Sequence, residues 1–150
     1  MLGSWSKADF PNLVERQNCA ITSQATPIYN CISWSVGEEF RWWWPDGMLI
    51  GYWPAGVTRE ETFSAFLEAY ATLGFKLCYD GSLEPGLEKL VLFGTGKSGQ
   101  ETPTHAALQL ASGEWTSKLG VCEDISHQKP EDLTGPCYGR VVCYLSRPRP

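Results

Sequence analysis

The sequence predicts an α+β protein, with N-terminal helices packed on an antiparallel sheet of about five strands. Three observations lead there. Two early stretches carry apolar residues at helical spacing, each behind a capping signal. From Phe75 onward, short apolar or alternating runs are separated by turns rich in Gly, Ser and Asp. The two patterns are segregated along the chain, helices first and strands after, which favours an antiparallel sheet over alternating βαβ units. No internal repeat or linker divides the 150 residues, so a single domain over residues 1–150 is expected.

Residues 1–18 are mixed, polar and broken by Pro11, and read as a loose arm or short helix. Cys19 to Thr26 is an approach segment, and Pro27 disfavours helix just before it. Asn30 is a good N-cap for a first helix over about Cys31 to Phe40, with Ile32, Val36 and Phe40 on one face. Pro45, Gly47, Gly51, Pro54 and Gly56 turn the next stretch into loops that carry Trp42, Trp43, Trp44 and Trp53. Thr58 with Glu61 forms a capping box for a second helix that Gly74 ends. Strands are expected at Phe75–Tyr79, Leu90–Phe93, Thr104–Leu110, Glu114–Leu119 and Tyr138–Leu145. Gly94–Pro103 reads as a loop, and Gly120–Thr134 as irregular with a short helix at Pro130–Leu133.

Composition narrows the function classes. Hydrophobic content of 43% and aromatic content of 13% exclude a disordered chain. A net charge of −5 argues against nucleic-acid binding, which calls for a basic face. No stretch approaches the ~20 apolar residues of a membrane span, and the N-terminus lacks a signal-peptide layout. A cytoplasmic protein with reduced thiols and no membrane partner is therefore expected. The six cysteines (19, 31, 78, 122, 137 and 143) include no C-x-x-C pair and stand with only two histidines, so neither a metal site nor any other cofactor is expected.

Candidate chemistry centres on Cys31, a thiol at a helix start, where the positive end of the helix favours thiolate. His105 opens a strand after a long insertion, where it can serve as general base to that thiol. A third group is needed to hold the imidazole by its other nitrogen. Asp124 is the first candidate, with Glu123 and Glu114 behind it, and His127 can pair with Asp124 instead. Donors to an oxyanion are the Cys31 backbone N–H with Gln24, Ser23 or Asn30. Lys118 is a candidate for a substrate carboxylate or a solvated edge charge. Trp43, Trp44 and Trp53 are candidates for a groove wall, or for a small core of their own.

Asn30-Cys31 at a helix start with Thr104-His105-Ala106-Ala107 on a strand resembles the papain-like cysteine hydrolases, which include NlpC-type and CHAP-type amidases and transglutaminase-like enzymes. That resemblance implies a papain-like fold and an acyl-enzyme mechanism. No Asn stands on the return strand, where the papain pattern has its third residue. The chain also resembles a family of small, mostly bacterial proteins of uncharacterised function. The matching pieces include Tyr29-Asn30-Cys31-Ile32, Pro103 to Ala107, Trp115 to Gly120, Asp124-Ile125, His127 and Tyr138-Gly139. It implies that Cys31, His105, Ser117, Lys118, Asp124 and His127 belong to one pattern, with Ser117, Lys118 and His127 supporting the catalytic Cys31, His105 and Asp124.

Three functions follow as expectations. The first is a cysteine peptidase or amidase acting on an amide, peptide or isopeptide bond of a protein or peptide. The second passes the same acyl group to an amine, or deamidates a glutamine side chain. The third is a non-enzymatic interaction module anchored by the Trp-rich loops.

Overall fold

A computed structural model describes residues 5–150. Seven strands alternate with little helix: β1 (Cys19–Ser23), α1 (Cys31–Ser35), α2 (Phe63–Ala71), β2 (Lys76–Cys78), β3 (Leu87–Thr95), β4 (Thr102–Gln109), β5 (Trp115–Lys118), β6 (Asp124–His127) and β7 (Arg140–Pro148). A 3-10 turn, Pro130–Leu133, precedes β7. The strands form one antiparallel sheet in the order β1-β6-β5-β4-β3-β7-β2.

This overturns the expected papain-like arrangement of helices on about five strands: the sheet has seven strands and dominates the chain. β1 and β6 are the additions. Both are short, and they pair with each other at the sheet edge, from Cys19 opposite His127 to Ser23 opposite Asp124. β1 is exposed beyond Cys19, and β6 buries Asp124 and His127 beside Ile125, so neither gives the apolar run or alternation that marks a strand. The helices are shorter than their periodicity suggests. α1 stops at Ser35, and Gly37 follows at φ 83°, a left-handed conformation that ends a helix. Phe40 is consequently 68% exposed rather than part of the α1 face. α2 starts behind Thr62, whose side chain accepts from the Ala65 N–H, not behind Thr58. Met1 to Ser4 of the expected N-terminal arm lie outside the described residues.

β3 explains why the sheet is buried on both sides. Leu90 and Leu92 pack with Ile32 of α1 and with Phe66, Ala69 and Tyr70 of α2. Val91 and Phe93 point the other way and pack with Trp5, Phe10, Leu13 and Leu133. The two helices cover one face; the N-terminal segment and the 3-10 turn cover the other. A continuous apolar run is what a strand covered on both faces requires. Among the described residues, no helix is long and apolar enough to cross a membrane.

Gly139 is one position where glycine is required. Its φ is 75°, and an added Cβ would lie 2.9 Å from the Gly94 carbonyl carbon and 2.6 Å from Thr95 Cγ2. Gly139→Ala is expected to destabilise the fold by about 2–3 kcal/mol, the cost of left-handed strain plus overpacking. Denaturant midpoints of the two proteins check this, with Gly37→Ala as the strain-only control, since open space surrounds that position.

Candidate active site

The site is built at the end of the sheet where β4 and β5 part. These strands pair only at Leu108–Thr116 and Gln109–Trp115. Beyond that point a side chain spans the gap: Ser117 Oγ lies 3.0 Å from His105 Nε2. Ser117 Oγ is also 2.8 Å from His127 Nε2, and His127 Nδ1 is 3.0 Å from the Lys129 carbonyl oxygen. All three side chains are buried.

The protonation of this relay follows from its partners rather than from visible hydrogens. A carbonyl only accepts, so His127 Nδ1 donates to Lys129. Burial lowers the pKa of both histidines, and the neighbouring His127 lowers His105 further; both rings are neutral near pH 7. His127 Nε2 is then a bare acceptor and takes the Ser117 hydroxyl proton. Ser117 Oγ in turn accepts from His105 Nε2–H. His105 Nδ1 is left as an unprotonated lone pair, buried and without a hydrogen-bond partner among the described residues. The ring is held in place by Tyr138, stacked on it at 4.0 Å and 8°, and by Phe93 at 5.3 Å. Tyr138 is itself fixed through its carbonyl, which accepts from Thr104 Oγ1 at 2.6 Å.

Cys31 occupies the first position of α1. Asn30 caps that helix: its Oδ1 accepts from Ser33 N–H at 3.2 Å, and Ser33 Oγ accepts from Asn30 N–H at 2.9 Å. The same amide reaches the Trp loop, accepting from Trp43 N–H at 3.2 Å and donating to the Trp43 carbonyl at 2.7 Å. Asn30 is thereby used up as a brace. The thiol is 6% exposed, and burial pushes its pKa up to about 11, against the pull of backbone N–H groups, Ala106 first, and of the Lys118 charge. Desolvation outweighs the helix-start effect expected from sequence. Cys31 and His105 make no direct hydrogen bond: Cys31 packs with Ala106 on the α1 face of β4, whereas His105, opposite Phe93, projects from the other face, and the two meet through Tyr138, which stacks on His105 and walls the cleft beside Cys31.

A cleft of about 290 Å³ opens beside Cys31, walled by Trp42, Trp44, Tyr138, Thr104, Gly120 and Asn30. Trp42 and Trp44 are held by a backbone exchange with Tyr52, at 2.7 and 3.0 Å. The loop beyond them is tied by Asp46, whose carboxylate accepts from the N–H groups of Met48, Ile50 and Gly51 and from Arg59.

The other expected site residues are placed as follows. Asp124 is buried on the opposite side of β6 from His127 and does not touch His105. Its Oδ2 accepts from Tyr29 Oη at 2.7 Å and from Ser23 Oγ. Lys118 is fully buried, donating to the carbonyls of Thr26, Gly120 and Cys122 at 2.9, 2.6 and 2.6 Å. With its three donors engaged it closes loops rather than awaiting a carboxylate. Gln24 is exposed past the end of β1 and is not part of the cleft wall. Of the three tryptophans expected in a groove, Trp44 lines the cleft. Trp43 and Trp53 are core residues, with indole N–H groups bound to Glu38 and to the Thr58 carbonyl. Sequence reasoning missed Thr104, Gly120 and Tyr138 as cleft residues, and it grouped the loop tryptophans without sorting them; alternation along Arg41-Trp42-Trp43-Trp44 is the signal that separates outward Trp42 and Trp44 from inward Trp43.

A family model described as a domain of unknown function, DUF7689, matches residues 20–146. The chain belongs to this family. The match runs from β1 to β7 and so takes in both the thiol and the whole histidine relay of this DUF7689 chain. No curated protein and no solved structure matches it.

Proposed function

We propose that the protein is a thiol-dependent acyl-transfer enzyme acting on amide or peptide bonds, with Cys31 as nucleophile and His105 as general base. One observation carries the reading: Tyr138, stacked on the His105 ring whose Nδ1 lone pair the buried relay leaves bare, also walls the cleft that opens beside the Cys31 thiol. A buried acceptor without a partner costs free energy, and such costs are retained where function uses them.

In the resting state both groups are neutral, so this is general-base catalysis rather than a preformed ion pair. As Cys31 sulfur bonds to the carbonyl carbon, the thiol proton passes to His105. His105 returns it to the leaving amine as the C–N bond breaks, leaving a thioester on Cys31. Water, or a substrate amine, then adds to the thioester while His105 takes its proton and hands it back to the departing sulfur.

p-Nitrophenyl acetate tests this without knowledge of the natural substrate. The expected result is a stoichiometric burst of p-nitrophenolate, with the acetyl group on Cys31 by peptide mass. Cys31→Ser removes the burst, and His105→Ala slows it by about 10²–10⁴-fold. Acetylation spread evenly over the cysteines, or a burst indifferent to His105→Ala, overturns the proposal. A second reading, a non-enzymatic interaction module, is favoured by the loop tip Met48, Leu49 and Ile50, which are 80%, 73% and 85% exposed; an inert Cys31 in the same assay supports it.

A further inference from the structure

We infer that the cleft beside Cys31 selects a large uncharged side chain, aromatic or branched aliphatic, on the residue whose carbonyl the thiol attacks. The inference rests on the proposed role of Cys31 for the word attacks; the selectivity of the cleft itself does not.

The walls are three aromatic side chains, Trp42, Trp44 and Tyr138, with Thr104 and Gly120 completing the rim. Flat, polarisable walls favour an apolar or aromatic guest, which gains both area burial and ring contacts. None of the lining residues is charged, so a lysine or arginine guest finds no carboxylate. The charge behind the Gly120 wall is positive: Lys118 donates to the Gly120 carbonyl at 2.6 Å. It disfavours a cation further. It offers nothing to an anion either, since its remaining donors go to Thr26 and Cys122. Desolvating an unpaired charge of either sign is costly, which leaves a neutral guest.

Size agrees. At about 290 Å³ the cleft lies at the lower end of small-molecule sites, ~300–1,000 Å³, enough for one large side chain and its backbone. The seat is preformed: Trp44 packs edge-on against Phe66 at 5.4 Å, and Tyr138 is clamped between His105 and Thr104. A rigid pocket discriminates without a prior ordering cost.

The test uses N-acetyl amino-acid chloromethyl ketones that differ only in side chain: Phe, Leu, Ala, Lys and Glu. In each, Cys31 sulfur displaces chloride from the methylene carbon, and the thiol proton leaves with it as HCl. Labelling rates at Cys31 are read by peptide mass on the full chain. The Phe and Leu reagents are expected to react about tenfold faster than the Ala reagent, with Lys and Glu no faster than Ala. Trp44→Ala is expected to bring the Phe rate down toward the Ala rate. Equal rates, or a Lys or Glu reagent that leads, overturn the inference. A second measurement separates it from the catalytic proposal: binding of N-acetyl-phenylalanine amide and N-acetyl-lysine amide to Cys31→Ser, followed by tryptophan fluorescence. Tighter binding of the phenylalanine amide supports the selectivity even if no reagent labels Cys31, an outcome that ends the nucleophile assignment alone. Equal binding, or tighter binding of the lysine amide, overturns the selectivity.

Discussion

Ser117→Ala is expected to lower the unfolding free energy by about 3 kcal/mol, more than any other one-atom deletion on the β5 strand. The lost hydroxyl serves two rings at once. It accepts from His105 Nε2 at 3.0 Å and donates to His127 Nε2 at 2.8 Å, and all three side chains are buried. Removing it strands one donor and one acceptor away from water, at about 1–3 kcal/mol each. The void is too small to be the main cost. Ser117→Thr keeps the hydroxyl and provides the control. Urea titration of the three proteins reads the difference; equal midpoints for wild type and Ser117→Ala would show that the relay bears no stability. In the p-nitrophenyl acetate assay the same Ala variant also frees the His105 ring to change tautomer, so its burst slows where that of Ser117→Thr is retained.

Stability is expected to fall steeply as pH drops below about 6.5, the ordinary histidine value. His105 and His127 both titrate below that value in the folded state, chiefly because burial penalises the cation. The unfolded chain therefore binds protons that the folded chain refuses. By linkage, the unfolding free energy rises with pH through this window and the full contribution is present above it. Each histidine contributes a slope of about 1.4 kcal/mol per pH unit between its folded and unfolded pKa, so the pair gives up to about 2.8. Carboxylates held low in the fold, such as Glu38 beside Arg41, act in the same direction but at lower pH. Chemical denaturation at steps from pH 5 to 7.5 isolates the histidine window. His127→Leu is expected to halve the slope there; a slope unchanged by that variant would mean the burial of His127 has no bearing on acid stability.

The relay that both predictions probe was partly legible in the sequence. Cys31, His105, Ser117 and His127 were all singled out from the sequence and all fall within the stretch that matches the family, and the N-cap at Asn30 is a local signal that the structure repeats. Which of them touch was not legible. Asp124 carries the stronger charge and suits the role of orienting an imidazole, but strand alternation sends it to the opposite side of β6 from His127, toward Tyr29 and Ser23. Ser117 takes the place beside His105 because β4 and β5 stop pairing just before it, an event set by the sheet as a whole.

The same division holds for the fold and the thiol. Apolar runs, turns and caps, which act over a few residues, determined by themselves the order of α1, α2 and five of the strands. The edge pair β1 and β6 needed the tertiary structure, because two short segments 101 residues apart at Ser23 and Asp124 declare themselves as strands only when they meet. The sequence placed Cys31 at a helix start and so suggested a lowered pKa. The packed structure decided otherwise, since desolvation depends on everything that surrounds a group and here exceeds what one short helix supplies.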